Sequence, residues 1–467
     1  MLSTFAGTSF AIKATLPPVS ATGMAKPLDP PCLPDASGNL VDARLIAVHT
    51  AFRHGARTPV SDLGADDTSC VWQPRETDKS ALLTQCLGSI ELFEHGSGDP
   101  IQPAEIWSTS GAGLLTTEGF LQSQELGREL RQRYVDALAT GSAQVRPQYL
   151  LPASWERSRR LVEARSTRVE RTVYTASGVL GGLFPGTAPN VEIALNGPPQ
   201  DEFMVLNTDG CPRLRELFQQ GLRLSSEGLT TEQLGVIQHV ESSTSWDCPA
   251  LEWKLITYRD WYACRRAAGK SIPQAVEDVA VELDAATARQ MHQIFEGGAE
   301  FTPDPVATRT EALRLVIGRL MTHLVEGLSR PDGGLHLYSG HDWTVSPLLL
   351  CVTRPDDPIH GMWPPFCSNI AFEIWSTRPS ERATPRVLSH PASRGDADAN
   401  DEGHFVRVTF NGRPVKLACA TVGTYVDTCT LAEFKALVRP FCATDFAAEG
   451  EPTGSTDTKT SNTGFNK

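Results

Sequence analysis

The chain has 467 residues, 40% of them hydrophobic and 21% charged, with a formal net charge of −13. That is the composition of an ordinary globular protein large enough for one domain with an insertion or for two domains, and its acidic balance excludes a general attraction to nucleic acid or anionic membrane. No apolar run reaches the roughly 18 residues of a spanning helix, so no transmembrane segment is expected; the nearest, Leu348 to Val352, sits between Pro347 and Arg354 and reads as core.

Residues 1–40 read as an N-terminal extension. Up to Lys26 the only charges are Lys13 and Lys26, and no acid precedes Asp29, as in a targeting segment, although the apolar stretch is broken by Thr, Ser and Gly. The short apolar run Leu45 to Val48 predicts a buried strand, and Gly55 and Pro59 break it into a loop. On that loop, Arg53, His54 and Arg57 put two guanidinium groups and an imidazole within a few residues, with Gly55 between them to admit a bulky anion. Such a cluster repels itself unless an anion fills it; guanidinium forks suit phosphate oxygens, and a neutral histidine among them can act as a nucleophile. The plain alternative is a solvated basic turn.

Ser61 to Trp107 reads as loop, with Cys70 and Cys86 bracketing Trp72 at a spacing that permits a disulfide. Leu121, Leu126, Leu130, Tyr134 and Leu138 fall at helical spacing, predicting a helix over Phe120 to Leu138 capped by Thr117. A strand at Leu161 to Ala164 runs into Arg165-Ser166-Thr167, and a helix carrying Arg171, Thr172, Ala176, Leu180 and Leu183 ends at Phe184-Pro185-Gly186. Residues 191–299 change character, with Trp246, Trp253, Tyr258, Trp261 and Tyr262, and read as an inserted, mostly helical cap whose aromatics serve packing before pocket lining. An apolar-striped helix over Thr308 to Leu328 and a turn at Pro331 to Gly334 lead into a strand that ends at Ser339-Gly340-His341-Asp342, with a helix beginning near Val345. Further strands are expected at Ile370 to Trp375 and Phe405 to Phe410, and residues 446–467 read as a disordered tail. Two strands releasing charged groups at their ends is the geometry of an open α/β sheet.

Eleven cysteines without metal-ribbon spacing predict two or more disulfides with a thiol left over, hence an oxidising compartment, a reading that gains no support from any Asn-x-Ser/Thr sequon. No cysteine has an arginine six positions on, which removes a cysteine-phosphate mechanism, and the acidic run Asp396 to Asn400 lacks the glycine and distal glutamate of a calcium loop. His49 and His336 are expected to be packed histidines rather than catalytic ones.

Taken together, Arg53 to Pro59 (Arg-His-Gly-x-Arg-x-Pro), Arg165 to Thr172 (Arg-Ser-Thr-x-x-x-Arg-Thr) and His341-Asp342 resemble the histidine acid phosphatase family, branch 2 of the histidine phosphatase superfamily. Leu115 to Gly119, Trp363 to Phe366 and the late Cys419 and Cys429 match as well, and the resemblance covers about Arg44 to Leu437. It implies a phosphoglycerate-mutase-like core, a central mixed sheet flanked by helices, formed by residues 41–190 and 300–445 around the cap. It implies His54 as nucleophile, phosphate contacts from Arg53, Arg57, Arg171 and His341, and Asp342 as proton donor, with neither metal nor cofactor. A donor that starts protonated implies activity at acidic pH; an optimum above neutrality would count against Asp342. The substrate implied is a small phosphomonoester, and the Pro364-Pro365-Phe366 segment with the late cysteine pair leans toward lysophosphatidate-phosphatase-like or phosphoxylose-phosphatase-like members, hence a lysophospholipid or sugar phosphate. The alternatives are a phytase-like inositol polyphosphate phosphatase, a mutase, and a silent phosphate-binding scaffold. A secretory or lysosomal lumen, or another organelle, is the expected location. Two departures stand out: Trp343 where a small hydroxyl residue is common, and Glu170 in place of a frequent aspartate.

Overall fold

The computed structural model of the protein describes residues 31–35, 37–61, 63, 89–95, 97–102, 112–136, 150–186, 190–197, 201–329, 333–378, 401–419, 426–443 and 449–450. The expectations for residues 1–26, Cys70, Trp72, Cys86, Trp107, the acidic run at 396–400 and the tail beyond 450 lie outside them.

In chain order the strands and long helices are β1 (Cys32–Pro34), β2 (Leu40–Asp42), β3 (Arg44–Arg53), β4 (Ser89–Glu94), α1 (Thr117–Arg131), β5 (Val162–Ser166), α2 (Glu170–Leu183) and β6 (Asn190–Leu195). There follow α3 (Pro212–Glu227), α4 (Thr231–Ser243), α5 (Lys254–Ala267), α6 (Ala280–Phe295), α7 (Pro305–Leu328), β7 (Gly334–Gly340), α8 (Asp342–Val352), β8 (Asn369–Ser376), β9 (His404–Phe410), β10 (Arg413–Pro414), β11 (Thr428–Thr430) and α9 (Leu431–Val438). β1 and β2 pair with each other, and the remaining nine strands form one sheet in the order β10-β9-β8-β3-β7-β5-β6-β4, with β11 beside β9. The block from β3 to β4 is parallel, and β8, β9, β10 and β11 run antiparallel at the other side. The expected mixed sheet is therefore what the chain builds.

The central strands are buried on both faces, which is why β3, β7 and β8 read as near-continuous apolar runs rather than alternating ones. One face packs against α3, α6, α7 and α8 through residues such as Leu217, Phe295, Leu320 and Leu348, and the other against α1 and α2 through Leu126, Leu130, Val179 and Leu183. A third cluster, with Val240, Trp246, Tyr258, Trp261 and Leu283, belongs to the helices between β6 and α7 and reaches the loop after β3 at Leu63. The aromatics of that segment are thus mainly core, as their density suggested. Among the described residues no helix is long and apolar enough to cross a membrane.

Three local expectations are corrected. Ser89–Glu94, read as loop, is a strand: it pairs in parallel with β6 in six-residue register from Ser89 opposite Asn190 to Glu94 opposite Leu195, which a six-residue run isolated by long loops does not advertise. That same β6 opens the stretch taken as cap, so the helices of this segment begin only at Pro212. The cap of α1 is Thr116 and not Thr117, because Thr116 is the residue with extended backbone and its hydroxyl accepts from Gly119 N at 3.1 Å. The helix then ends in a π turn over Gln132–Asp136.

The expected disulfides are not formed by Cys211, Cys248, Cys264, Cys351, Cys367, Cys419, Cys429 and Cys442, which are thiols among the described residues. Cys211, Cys351 and Cys429 are spent as small apolar groups in the main core and Cys248 in the third cluster. Cys419 and Cys429, the expected bridge, are within side-chain hydrogen-bond reach of each other as thiols.

His49 and His336 are packed as expected. They stack at 4.2 Å between β3 and β7, His49 Nδ1 lies 3.0 Å from Tyr338 Oη, and His336 Nδ1 lies 3.0 Å from Glu163 Oε2. His323 of α7 joins the cluster edge-on to Tyr338 at 5.8 Å. Burial, with the neighbouring His336 and His323, holds His49 well below the ordinary histidine range; burial, with Arg165, lowers His323 to about 4. Such rings stay neutral in the folded chain but take up protons at about pH 6.5 once unfolded. Stability is therefore full above pH 6.5 and falls as the pH drops from there toward 4, by about 1.4 kcal/mol per pH unit for each such histidine. Urea unfolding at pH 7.5 and pH 5 is expected to show that loss; a flat profile would mean that these rings are charged in the native state.

Candidate active site

Three parallel strands, β3, β7 and β5, end side by side, and each delivers site residues from its carboxyl end. β3 and β7 are in register to Arg53 opposite Gly340, β5 and β7 to Ser166 opposite Ser339. Ligands of open α/β sheets bind beyond such ends. Arg53 is the last residue of β3, His54 follows it with its N–H on Gly340 O at 3.0 Å, His341 and Asp342 follow Gly340, and Arg171 stands in the first turn of α2. The six residues expected from the sequence are brought together, all of low exposure.

His54 donates from Nδ1 to its neighbour's carbonyl, Gly55 O, at 2.8 Å. A carbonyl can only accept, so the proton sits on Nδ1 and Nε2 keeps its lone pair. Burial, reinforced by Arg171, Arg53, Arg57 and His341, holds the His54 pKa well below the ordinary histidine value, so the ring is neutral in weak acid. His341 is fixed in the complementary way. Arg171 Nη2 donates to its Nδ1 at 3.3 Å, so Nε2 carries the proton and donates to Thr167 Oγ1 at 2.9 Å, which in turn lies 2.9 Å from Thr172 Oγ1. The two imidazoles stand edge to face with centroids 5.5 Å apart.

The arginines are held separately. Arg53 Nη1 donates to Pro364 O at 2.8 Å, Arg53 Nη2 meets Asp342 Oδ2 at 2.8 Å, and the Phe366 ring lies 4.1 Å from its guanidinium carbon. Arg57 donates to Asp260 through Nη2 at 2.8 Å and Nη1 at 3.2 Å. Burial lowers Arg53 to about 10 and Arg171 to about 9, each with the other arginines as further cause, whereas Asp260 overcomes the burial of Arg57 and raises it above an ordinary arginine. All three remain charged, and each keeps a buried Nε with no partner. Three unpartnered donors around a neutral imidazole form a cradle for a multiply charged oxoanion. Asp342 begins α8, so the amino end of that helix adds to the positive field.

Two details were not legible as such. The glycine in Arg53-His54-Gly55 is there for protein backbone: a Cβ on Gly55 would collide with the Gly119 carbonyl, and one on Gly119 with Ala56 O. The loop carrying His54 and the start of α1 thus touch backbone to backbone, which accounts for the Leu115 to Gly119 motif. Gly55→Ala or Gly119→Ala is expected to cost about 2–3 kcal/mol in urea unfolding and at least tenfold in turnover, as overpacking does where neither side can yield. Gly235→Ala, an open helical position, is the control and should be neutral or slightly stabilising. The second detail is Cys367, which adopts φ 56°, a left-handed conformation strained for a side chain, and donates its N–H to His54 O at 3.2 Å. The segment Trp363 to Phe366 is thereby folded over the site.

Trp343 packs its ring 5.6 Å from Phe295 and 6.0 Å from Phe218 beside the carboxylate of Asp342, to whose Oδ1 it donates its own N–H at 3.0 Å. Glu170 is buried at the first position of α2, where an acid suits the helix terminus. Asp260, on α5, carried no sequence signal, being one acid among many in a helical stretch.

A sequence model of the histidine phosphatase superfamily, branch 2, matches residues 44–226, which hold Arg53, His54, Arg57 and Arg171. Over that segment the chain is similar to this family. The chain is also similar to the lysosomal acid phosphatase of Xenopus laevis, 26% identical over 78% of each chain. The testicular acid phosphatase of Homo sapiens is 29% identical over 65% of this chain and 70% of its own. Among solved structures, the Bifidobacterium longum multiple inositol polyphosphate phosphatase in complex with inositol hexasulfate shares the fold. Its TM-score is 0.51 at 11% identity, covering 91% of this chain and 98% of that chain.

Proposed function

We propose that this histidine phosphatase hydrolyses phosphomonoesters at acidic pH through a phosphohistidine on His54, with Asp342 as proton donor. The observation that carries the reading is the tautomer of His54: a neutral ring with its proton held by Gly55 O offers Nε2 to the ring of guanidiniums. Arg53, Arg57 and Arg171 bind the phosphoryl oxygens and reduce their repulsion of the nucleophile, and His341 joins them by moving its proton from Nε2 to Nδ1, Nε2 then accepting from the Thr167 hydroxyl. Nε2 attacks phosphorus in line, the P–N bond forms as the P–O bond to the alcohol breaks, and Asp342 gives its proton to the departing oxygen. In the second half the Asp342 carboxylate takes a proton from water as that water attacks phosphorus and the P–N bond breaks, its electron pair returning to His54 Nε2, and free phosphate leaves.

Retention of both His54 and Asp342 favours an enzyme over a silent phosphate binder, which needs arginines and no acid. The substrate proposed is a small phosphomonoester, with a lysophospholipid or a sugar phosphate ahead of an inositol polyphosphate, and the division into a sheet core and a helical cap is part of the same reading. A lumenal or secreted location is proposed on the strength of the lysosomal acid phosphatase relative. Rapid quenching of the enzyme with a radiolabelled phosphomonoester is expected to trap an acid-labile, base-stable phosphoprotein, the signature of phosphohistidine. A label that survives acid would sink the proposal, and phosphate release from lysophosphatidate set against inositol hexakisphosphate decides the substrate class.

A further inference from the structure

The phosphate cradle is not completed by the sheet. Arg57 is gripped from the helical segment, where Asp260 of α5 receives Nη2 at 2.8 Å and Nη1 at 3.2 Å, with the pair's side chains 7% and 10% exposed. The same carboxylate accepts from Val60 N at 3.2 Å, so one side chain fastens both ends of the turn that follows the nucleophile. The next residue, Trp261, donates Nε1–H to Ser61 O at 2.7 Å, and Cys264, one turn further on, lies with Sγ 3.6 Å from Arg57 Nη1. Asp260, Trp261 and Cys264 thus form a single stripe of α5 laid along residues 57–61. With both terminal nitrogens on Asp260 and Nη1 also on Thr58 O at 3.0 Å, the guanidinium of Arg57 is fixed in place with its buried Nε–H unpartnered.

We infer that Asp260 is a positioning residue: it fixes the guanidinium of Arg57 in the orientation that receives phosphate, and so makes docking of the helical segment a condition for a complete site. The inference rests on reading Arg57 as a phosphate contact. Physically, like charges repel, and without the carboxylate Arg57 would be driven away from Arg171, whose own charge it disfavours more than any other neighbouring group does. A displacement of about 1 Å in such a group can cost on the order of 100-fold in rate.

The test is a double-mutant cycle on full-length protein with Arg57→Ala, Asp260→Asn and the double variant, reading kcat, KM, the inhibition constant of inorganic phosphate and the melting temperature. Asp260→Asn is expected to lower kcat/KM by about 10- to 100-fold and to weaken phosphate inhibition, yet to change kcat/KM less than about threefold when Arg57 is already alanine. An equal loss in both backgrounds would show a merely structural role and overturn the inference. If Arg57→Ala impairs turnover and Asp260→Asn does not, the inference fails and the phosphate reading of Arg57 stands. If Arg57→Ala itself leaves phosphate inhibition unchanged, both fall. Should Asp260→Asn melt below the assay temperature, Asp260→Glu keeps the buried charge and shifts it by one methylene. Its loss must likewise vanish in the Arg57→Ala background, and persistence there overturns the inference.

Discussion

Replacing His54 by alanine is expected to reduce kcat/KM on p-nitrophenyl phosphate by at least about 10⁴-fold while phosphate still inhibits near its wild-type concentration. The magnitude follows from what a covalent nucleophile supplies: remove it, and only positioning and charge stabilisation remain to accelerate attack by water. Binding should survive because the ring contributes no charge to the cradle, which is made by Arg53, Arg57 and Arg171. The pH profile gives a second check. A histidine held well below its ordinary pKa by burial and four neighbouring groups stays unprotonated through weak acid, so wild-type kcat/KM should not decline as the pH falls through 6.5. A decline centred there would mean that His54 is exposed to ordinary titration and that the buried, arginine-ringed geometry does not operate in solution.

The Asp342→Asn variant is expected to separate substrates by their leaving groups. On an alkyl phosphate, whose alkoxide departs poorly without a proton, the loss should reach about 10²- to 10⁴-fold, the usual range for a general acid. On p-nitrophenyl phosphate, whose phenolate leaves readily, the first step should hardly suffer. The variant should then accumulate phosphoenzyme, because the missing base slows the attack of water. The asparagine keeps the position at the start of α8 and can still accept from Trp343 N–H, but it gives up the pairing of Oδ2 with the buried Arg53, so the melting temperature is read beside the rates. Equal losses of kcat/KM on the two substrates would remove Asp342 from the proton-transfer role and leave it as a partner of Arg53 alone.

How much of this the sequence disclosed depended on whether a feature was local. The strand at Leu45 to Val48, the helix carrying Arg171 and the strand before His341-Asp342 were legible because each is an uninterrupted pattern ending in an abrupt change of residue type, and the site residues stand at those ends. β4 was not legible, since its reason for being a strand is β6, about a hundred residues away. The free thiols were misread because cysteine count says nothing of which cores receive them: Cys211 and Cys351 sit in the main core and Cys248 in another. Asp260 was invisible for a related reason. Its spacing on α5 is that of a solvated helix face, and only the packing of Trp261 against Ser61 O turns it inward. Gly55 was noticed but for the wrong neighbour, because the approach of Gly119 is a tertiary fact.

The pairing of β3 with β7 joins residues as far apart as His49 and Tyr338, 289 positions along the chain. During synthesis at roughly 5–20 residues per second, the loop carrying His54 must wait on the order of 15 to 60 seconds for its partner strand to leave the ribosome. Until then no incomplete chain can hold a phosphoryl group, since the loop lacks both the strand that supports it and the carboxyl group that serves it. Prematurely terminated products ending before Gly334 are therefore born inactive, and their unpaired β3 is a segment that chaperones must shield.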